Sequence, residues 1–160
     1  MIRDANRDGI VDVINLAHQY LHLAIDGYKL DKCVWITNVL AWLHQAELDD
    51  AWFIVDYDGD HLRGFAIGVP TSWHYSQEVY LDIKELFVDE DLNQDTKAEI
   101  VGAFARRLER EARLSGYAGC SAFSIRPNSS AYANYFVRKL GWTRASGAKL
   151  LFKGDEHEPI

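Results

Sequence analysis

The sequence predicts a mixed α/β fold, and three observations predict it. A run rich in β-branched and aromatic residues, Val79–Val88, passes through a polar turn into a long amphipathic helix in which Ile100, Val101, Phe104 and Leu108 recur at helical spacing. A second strand-like run, Cys120–Ile125, follows, so the helix reads as the right-handed crossover between two parallel strands. Upstream, Trp52–Tyr57 and Leu62–Val69 flank Asp58-Gly59, a hairpin signal because glycine accepts positive φ. One antiparallel pair and one parallel pair are therefore expected in the same chain.

The elements follow in order. A short strand lies around Ile2, and Asn6 caps a helix whose apolar face is Ile10, Val13, Ile14, Ala17 and Leu21, ended by Gly27. A second helix starts near Asp31 and carries Val34, Trp35, Val39, Trp42 and Leu43 as far as the acidic turn Glu47–Asp50. After the hairpin, Pro70 closes the second strand and Thr71–Gln77 forms an aromatic loop with Trp73, His74 and Tyr75. Beyond the crossover unit, Ser129 or Ser130 caps a fourth helix that runs to about Leu140 and is ended by Gly141. Trp142–Arg144 and Ala148–Lys153, separated by Ser146-Gly147, suggest a last hairpin. The expectation is four helices and a six- to seven-stranded sheet in one domain over residues 1–153, with a polar tail at 154–160 that frays.

Composition narrows the function. A chain of 160 residues with 48% hydrophobic content buries one core without staples. Its net charge of −7, from 24 acidic against 17 basic side chains, repels a nucleic-acid backbone and argues against DNA or RNA as a partner. Two cysteines, Cys33 and Cys120, lie far apart in apolar stretches, the pattern of free, buried thiols in a reducing compartment. The first residues lack an apolar signal core, and no segment approaches the ~20 apolar residues that span a bilayer. These readings place the chain in the cytoplasm, without a membrane partner.

Two stretches carry a family likeness. Leu86-Phe87-Val88-Asp89-Glu90-Asp91 and Phe136-Val137-Arg138-Lys139-Leu140-Gly141-Trp142, set in this element order, resemble the GNAT family of N-acetyltransferases over essentially the whole chain. The resemblance implies a mixed sheet splayed between its fourth and fifth strands near Phe87 and Phe123, with acetyl-CoA in the gap and an amine acceptor entering from the other side. It implies cofactor contacts at Leu86, Phe87 and Val88, and in the loop Asn93-Gln94-Asp95-Thr96-Lys97-Ala98. In that loop only Ala98 matches the family's glycine-rich pattern. Thr96 stands where a glycine lets backbone approach the diphosphate, Asn93 replaces a glutamine or arginine, and Asp89, Glu90, Asp91 and Asp95 add negative charge, offset in part by Lys97. The family's thiolate-protonating tyrosine corresponds to Val137, with Tyr135 two residues earlier and about 200° away around an ideal helix. Asn128, three residues before Ala131, resembles the start of the same motif and is a further cofactor contact.

Acetylation of an amine needs a neutral nucleophile, so a carboxylate has to take its proton. Asp82 and Glu85 are the candidates, with Tyr135 as the candidate acid. An odd spacing sets Asp82 and Glu85 on opposite faces of a regular strand, so only one reaches the acceptor unless a bulge intervenes. His18 and His22 share a helix face without a third ligand, so no metal is expected. His74 is a loop histidine, open to a role as acceptor-side base or contact or to plain surface exposure, and Trp35, Trp42, Trp52 and Trp73 read as core and wall. Arg106, Arg107, Arg110 and Arg113 read as a solvated stripe pairing with Glu109 and Glu111 or with a second subunit of a homodimer. Two functions remain open: an N-acetyltransferase acting on an amine acceptor, small molecule or protein, through direct attack in a ternary complex, and a catalytically silent protein of the same shape that binds other proteins. Asp26 and Asp31 add negative charge on the acceptor side.

Overall fold

A computed structural model describes residues 1–24, 31–72, 76–122 and 129–144, the side chains of 19–24 and 129–130 excepted. The chain divides into two compact units, Met1–Pro127 and Asn128–Ile160.

The first unit is a five-stranded sheet in the order β1-β2-β3-β4-β5, made of β1 (Ile2–Asp4), β2 (Trp52–Asp58), β3 (His61–Ser72), β4 (Val79–Val88) and β5 (Gly119–Ala122). Neighbours are antiparallel except β4 and β5, which run parallel from Tyr80↔Gly119 to Ile83↔Ala122. Among the described residues five strands stand where six to seven are expected. The difference is the last hairpin: Trp142–Arg144 are not strand, and 145–153 lie outside the described residues. Of the expected splay near Phe87 and Phe123, the Phe123 side also lies outside the described residues.

Three helices accompany the sheet: α1 (Ile10–Ala24), α2 (Lys32–Glu47) and α3 (Gln94–Leu114). The Asn6 carboxamide accepts the Gly9 N–H and caps a 3₁₀ turn, Arg7–Gly9, that leads into α1. Asp31 caps α2 at the Cys33 and Val34 N–H groups. Ile10, Val13, Leu16 and Ala17 of α1 and Trp35, Val39 and Leu43 of α2 pack on one sheet face, over Phe53, Val55, Phe65, Ile67 and Phe87. Leu16 belongs to that core although the sequence reading passes over it, and Leu21 and Gly27 lie outside the described side chains.

The opposite face carries α3, whose buried stripe is Ile100, Phe104, Ala105, Leu108 and Ala112. Gly64 and Gly68 of β3 let that helix approach. A Cβ on Gly68 would stand 3.0 Å from Leu108, and one on Gly64 3.2 Å from Phe104. Consecutive β3 residues thus serve two layers, with Phe65 facing α1 and α2 and Gly64 facing α3.

Several boundaries differ from expectation for local reasons. The two-residue hairpin loop is Gly59-Asp60, between paired Asp58 and His61, with Gly59 at φ 58°. Pro70 lies inside β3, opposite Leu81, rather than closing it, and Thr71 and Ser72 extend the strand instead of opening a loop. Pairing with β2 stops at Gly68, so Pro70 sits where β3 has become an edge and a missing N–H is tolerated. Residues 73–75, with His74 and Trp73, lie outside the described residues. Cys33 is exposed in the first turn of α2, not buried, because it falls off that helix's core stripe, whereas Cys120 is partly buried; both are free thiols.

The second unit contributes α4 (Ser129–Leu140), ended by Gly141 at φ 75°. The Trp142 N–H reaches back to the Phe136 carbonyl at 3.0 Å, and the two rings meet edge-on at 4.7 Å.

Candidate functional site

The crossover unit β4–α3–β5 carries most of the candidate site residues. Leu86, Phe87 and Val88 end β4, all three buried. Asp89, 5% exposed, then organises the turn: its N–H donates to the Arg63 carbonyl, and its Oδ1 accepts the Asp91 N–H at 3.0 Å. The Oδ2 of Asp89 meets His61 Nε2 at 3.0 Å. One of the four acids that crowd this turn is thereby turned inward to build it.

Asn93 caps α3, its carboxamide accepting the Thr96 N–H at 2.9 Å. The expected cofactor loop is therefore mostly helix, since Gln94, Asp95, Thr96, Lys97 and Ala98 occupy the first turns of α3. Lys97 Nζ pairs with Glu90 Oε2 at 2.9 Å, which neutralises one acid and occupies the one cation of this segment. The donors suited to a diphosphate here are the N–H groups and dipole of the first α3 turn, less the Thr96 N–H that Asn93 takes. That donor set fits the cofactor through backbone, without the glycines of the family's pattern.

The two candidate bases stand on one face. β4 carries one extra residue at Lys84, because Ile83 pairs with Gly68 whereas Glu85 pairs with Ile67, its chain neighbour. Directly paired residues share a face, so Asp82 (opposite Val69) and Glu85 (opposite Ile67) both face the α1 and α2 side with Phe87. The expectation of opposite faces fails because of this bulge. Asp82 is engaged on both oxygens: Ser121 Oγ donates to Oδ1 at 2.9 Å and Lys84 Nζ to Oδ2 at 2.7 Å. Glu85 is partly buried.

Ser121 escaped the sequence reading because its approach to Asp82 spans 39 residues and depends on the parallel register. Lys84 lay two residues from Asp82, and that same-side spacing was the available signal. Tyr135 is a partly buried residue of α4, 6.3 Å from the Phe136 ring, and Val137 is partly buried on the same helix. Asn128 lies outside the described residues.

Several of the other candidates have structural partners. Trp35 is buried between Trp42 and Phe65, at 6.1 and 6.3 Å, and Trp52 meets Tyr117 edge-on. Arg107 pairs with Glu111 at 2.7 Å and with Asp4 at 3.1 Å, and Arg113 with Glu109 at 3.8 Å. Asp31 serves as the α2 cap, and Asp26 lies outside the described residues. Among the described residues no three His, Cys, Asp or Glu side chains gather as metal ligands, and no helix is long and apolar enough to cross a membrane.

No protein-family model and no curated protein matches the chain. Solved structures do. An aminoglycoside antibiotic 6'-N-acetyltransferase from Acinetobacter haemolyticus matches with a TM-score of 0.71 at 11% identity, over 98% of this chain and 99% of that one. A second such enzyme, from Acinetobacter baumannii, gives 0.68 at 13% identity over 96% and 97%. A GCN5-related N-acetyltransferase from Ralstonia eutropha JMP134 gives 0.67 at 15% identity over 96% and 99%. With a mixed sheet, a parallel β4–β5 pair and α3 between them, the chain has the fold of the GNAT N-acetyltransferases.

Proposed function

We propose that the protein is an N-acetyltransferase that moves an acetyl group from acetyl-CoA to an amine by direct attack in a ternary complex. The observation that carries this reading is the bulge at Lys84, which puts two carboxylates on one face of β4 in a fold shared with acetyltransferases along nearly the whole chain. Acetyl-CoA would lie against Leu86, Phe87 and Val88, with its diphosphate at the α3 N-terminus from Asn93 to Ala98. Asn128 and Tyr135 are the further contacts. A carboxylate, Glu85 or Asp82, takes a proton from the acceptor ammonium. The freed lone pair attacks the thioester carbonyl, the C–N bond forms as the C–S bond breaks, and the thiolate leaves and takes a proton from Tyr135 or water. The second amine proton passes from the new amide nitrogen to the tyrosinate or hydroxide so formed. A backbone N–H near Phe87 or Val88 is suited to the carbonyl oxygen.

Residues 1–153 act as one domain in this reading, in the cytoplasm and as a monomer or homodimer, and the acceptor is a cationic amine such as an aminoglycoside, a polyamine or a protein lysine. Acetyl-CoA at about 100 times its dissociation constant should stabilise the protein by about 2.7 kcal/mol, read as a thermal shift. Release of free thiol with kanamycin, spermidine or a lysine peptide would complete the test. Absence of both signals at millimolar cofactor removes the transferase. The second reading, a silent binding protein of this fold, is favoured by two contacts: Asn93 already holds the Thr96 N–H, and Lys97 already holds Glu90.

A further inference from the structure

We infer that Asp82 is not the base but one member of a clamp, Ser121–Asp82–Lys84, that fixes the β4 bulge and so positions Glu85; the inference rests on the transferase reading above. The geometry of Asp82 suits it to this role. Asp82 spans from a hydroxyl on β5 to an ammonium on its own strand, with Ser121 Oγ at 2.9 Å and Lys84 Nζ at 2.7 Å. Its side chain is 22% exposed and that of Lys84 38%. An acceptor arriving as an ammonium would meet the Lys84 charge at Asp82 Oδ2, and like charges at contact distance repel.

Lys84 is also the extra residue of the bulge, the one without a register partner on β3. Its side chain is returned to the strand by Asp82, two residues back. Ser121 ties the same carboxylate across to β5 at the Asp82↔Ser121 pair, one pair before the last described pair, Ile83↔Ala122. The clamp thus fixes the backbone on both sides of Ile83, and Glu85 follows immediately. A bulge held in this way re-aims the side chain after it. Glu85 is then the group that takes one proton from the acceptor ammonium, leaving the lone pair for attack. Asp82, Lys84 and Ser121 are positioning residues that never exchange that proton.

The test is the pH dependence of thiol release from acetyl-CoA, with kanamycin, spermidine and a lysine peptide as acceptor probes. Glu85→Gln should lower kcat by about 100-fold or more and abolish the acid limb of the profile. Asp82→Asn and Ser121→Ala should lower kcat by about 10-fold, with the acid limb kept at its wild-type midpoint and KM for acetyl-CoA unchanged. Ser121→Thr, which keeps the hydroxyl, should restore the rate. Loss of the acid limb in Asp82→Asn, or wild-type kinetics in both clamp variants, overturns the inference. If the wild-type protein releases no thiol with any probe, the transferase reading is what has failed. The clamp is then judged by amide hydrogen exchange, where faster exchange at Ile83–Leu86 in Ser121→Ala supports it and unchanged exchange overturns it.

Discussion

The two cysteines show how far local environment separates chemically identical groups. Cys33 is exposed on the first turn of α2, while burial first, and then the Glu109 carboxylate, pushes the Cys120 thiol up from 9.0 to about 11, with Arg113 working the other way. A thiol reagent at neutral pH should therefore label Cys33 quickly and Cys120 slowly, as mass spectrometry of the labelled peptides would show. Between these two pKa values the unfolded chain has released a proton that the folded chain keeps, so stability falls as pH rises through that window. Urea midpoints compared at about pH 8 and pH 10.5 should drop less in Cys120→Ala than in the wild-type protein. Asp49 is a second case. It holds φ 60° in a Schellman end to α2, where the Asp50 N–H bonds the Gln45 carbonyl and the Asp49 N–H bonds that of Ala46. A left-handed conformation costs a non-glycine residue about 1–2 kcal/mol, more than the ~0.5–1 kcal/mol of extra chain entropy that glycine carries, so Asp49→Gly should raise stability by about 0.5–1 kcal/mol in denaturant unfolding.

At the scale of elements, α3 is closed at both ends by its own capping residues. Asn93 caps its start, and Gly116 at φ 72° closes its end through bonds from Tyr117 to Ala112 and from Gly116 to Arg113. Asn93→Ala should cost about 1 kcal/mol of stability, read by thermal unfolding, because the Thr96 N–H loses its acceptor. The same substitution frees that donor for an anion, so in the transferase reading acetyl-CoA binding should weaken less than stability does. β4 was legible in sequence to the residue, Val79–Val88, since β-branched and aromatic residues declare a strand from within. Its bulge was not, because a bulge is a property of two strands: Val79–Val88 reads the same whether Ile67 pairs with Lys84 or with Glu85.

For the molecule as a whole, β3 is the strand on which both layers meet. Phe65 is fully buried, stacks on Phe87 at 5.8 Å and touches Trp35 and Phe53. Phe65→Ala should cost about 3–5 kcal/mol, measured by urea unfolding. Gly64, its neighbour, faces the other layer, and a Cβ there would stand 2.7 Å from the Phe87 carbonyl oxygen. Backbone cannot yield as a side-chain end does, so Gly64→Ala should cost about 1–3 kcal/mol and disturb the end of β4, where the cofactor reading places the acetyl group. Periodicity, capping residues and turn glycines by themselves determined β2, β3, β4, the helices and the parallel crossover, because each of those signals is complete within a few residues, although the strand they suggest at Trp142–Arg144 does not form. Only the tertiary structure decided that Asp82 and Glu85 share a face, that Ser121 reaches Asp82 and that Gly64 and Gly68 admit α3. Those facts depend on register between segments distant in the chain, and a slip of one residue reverses every face while leaving the local pattern untouched.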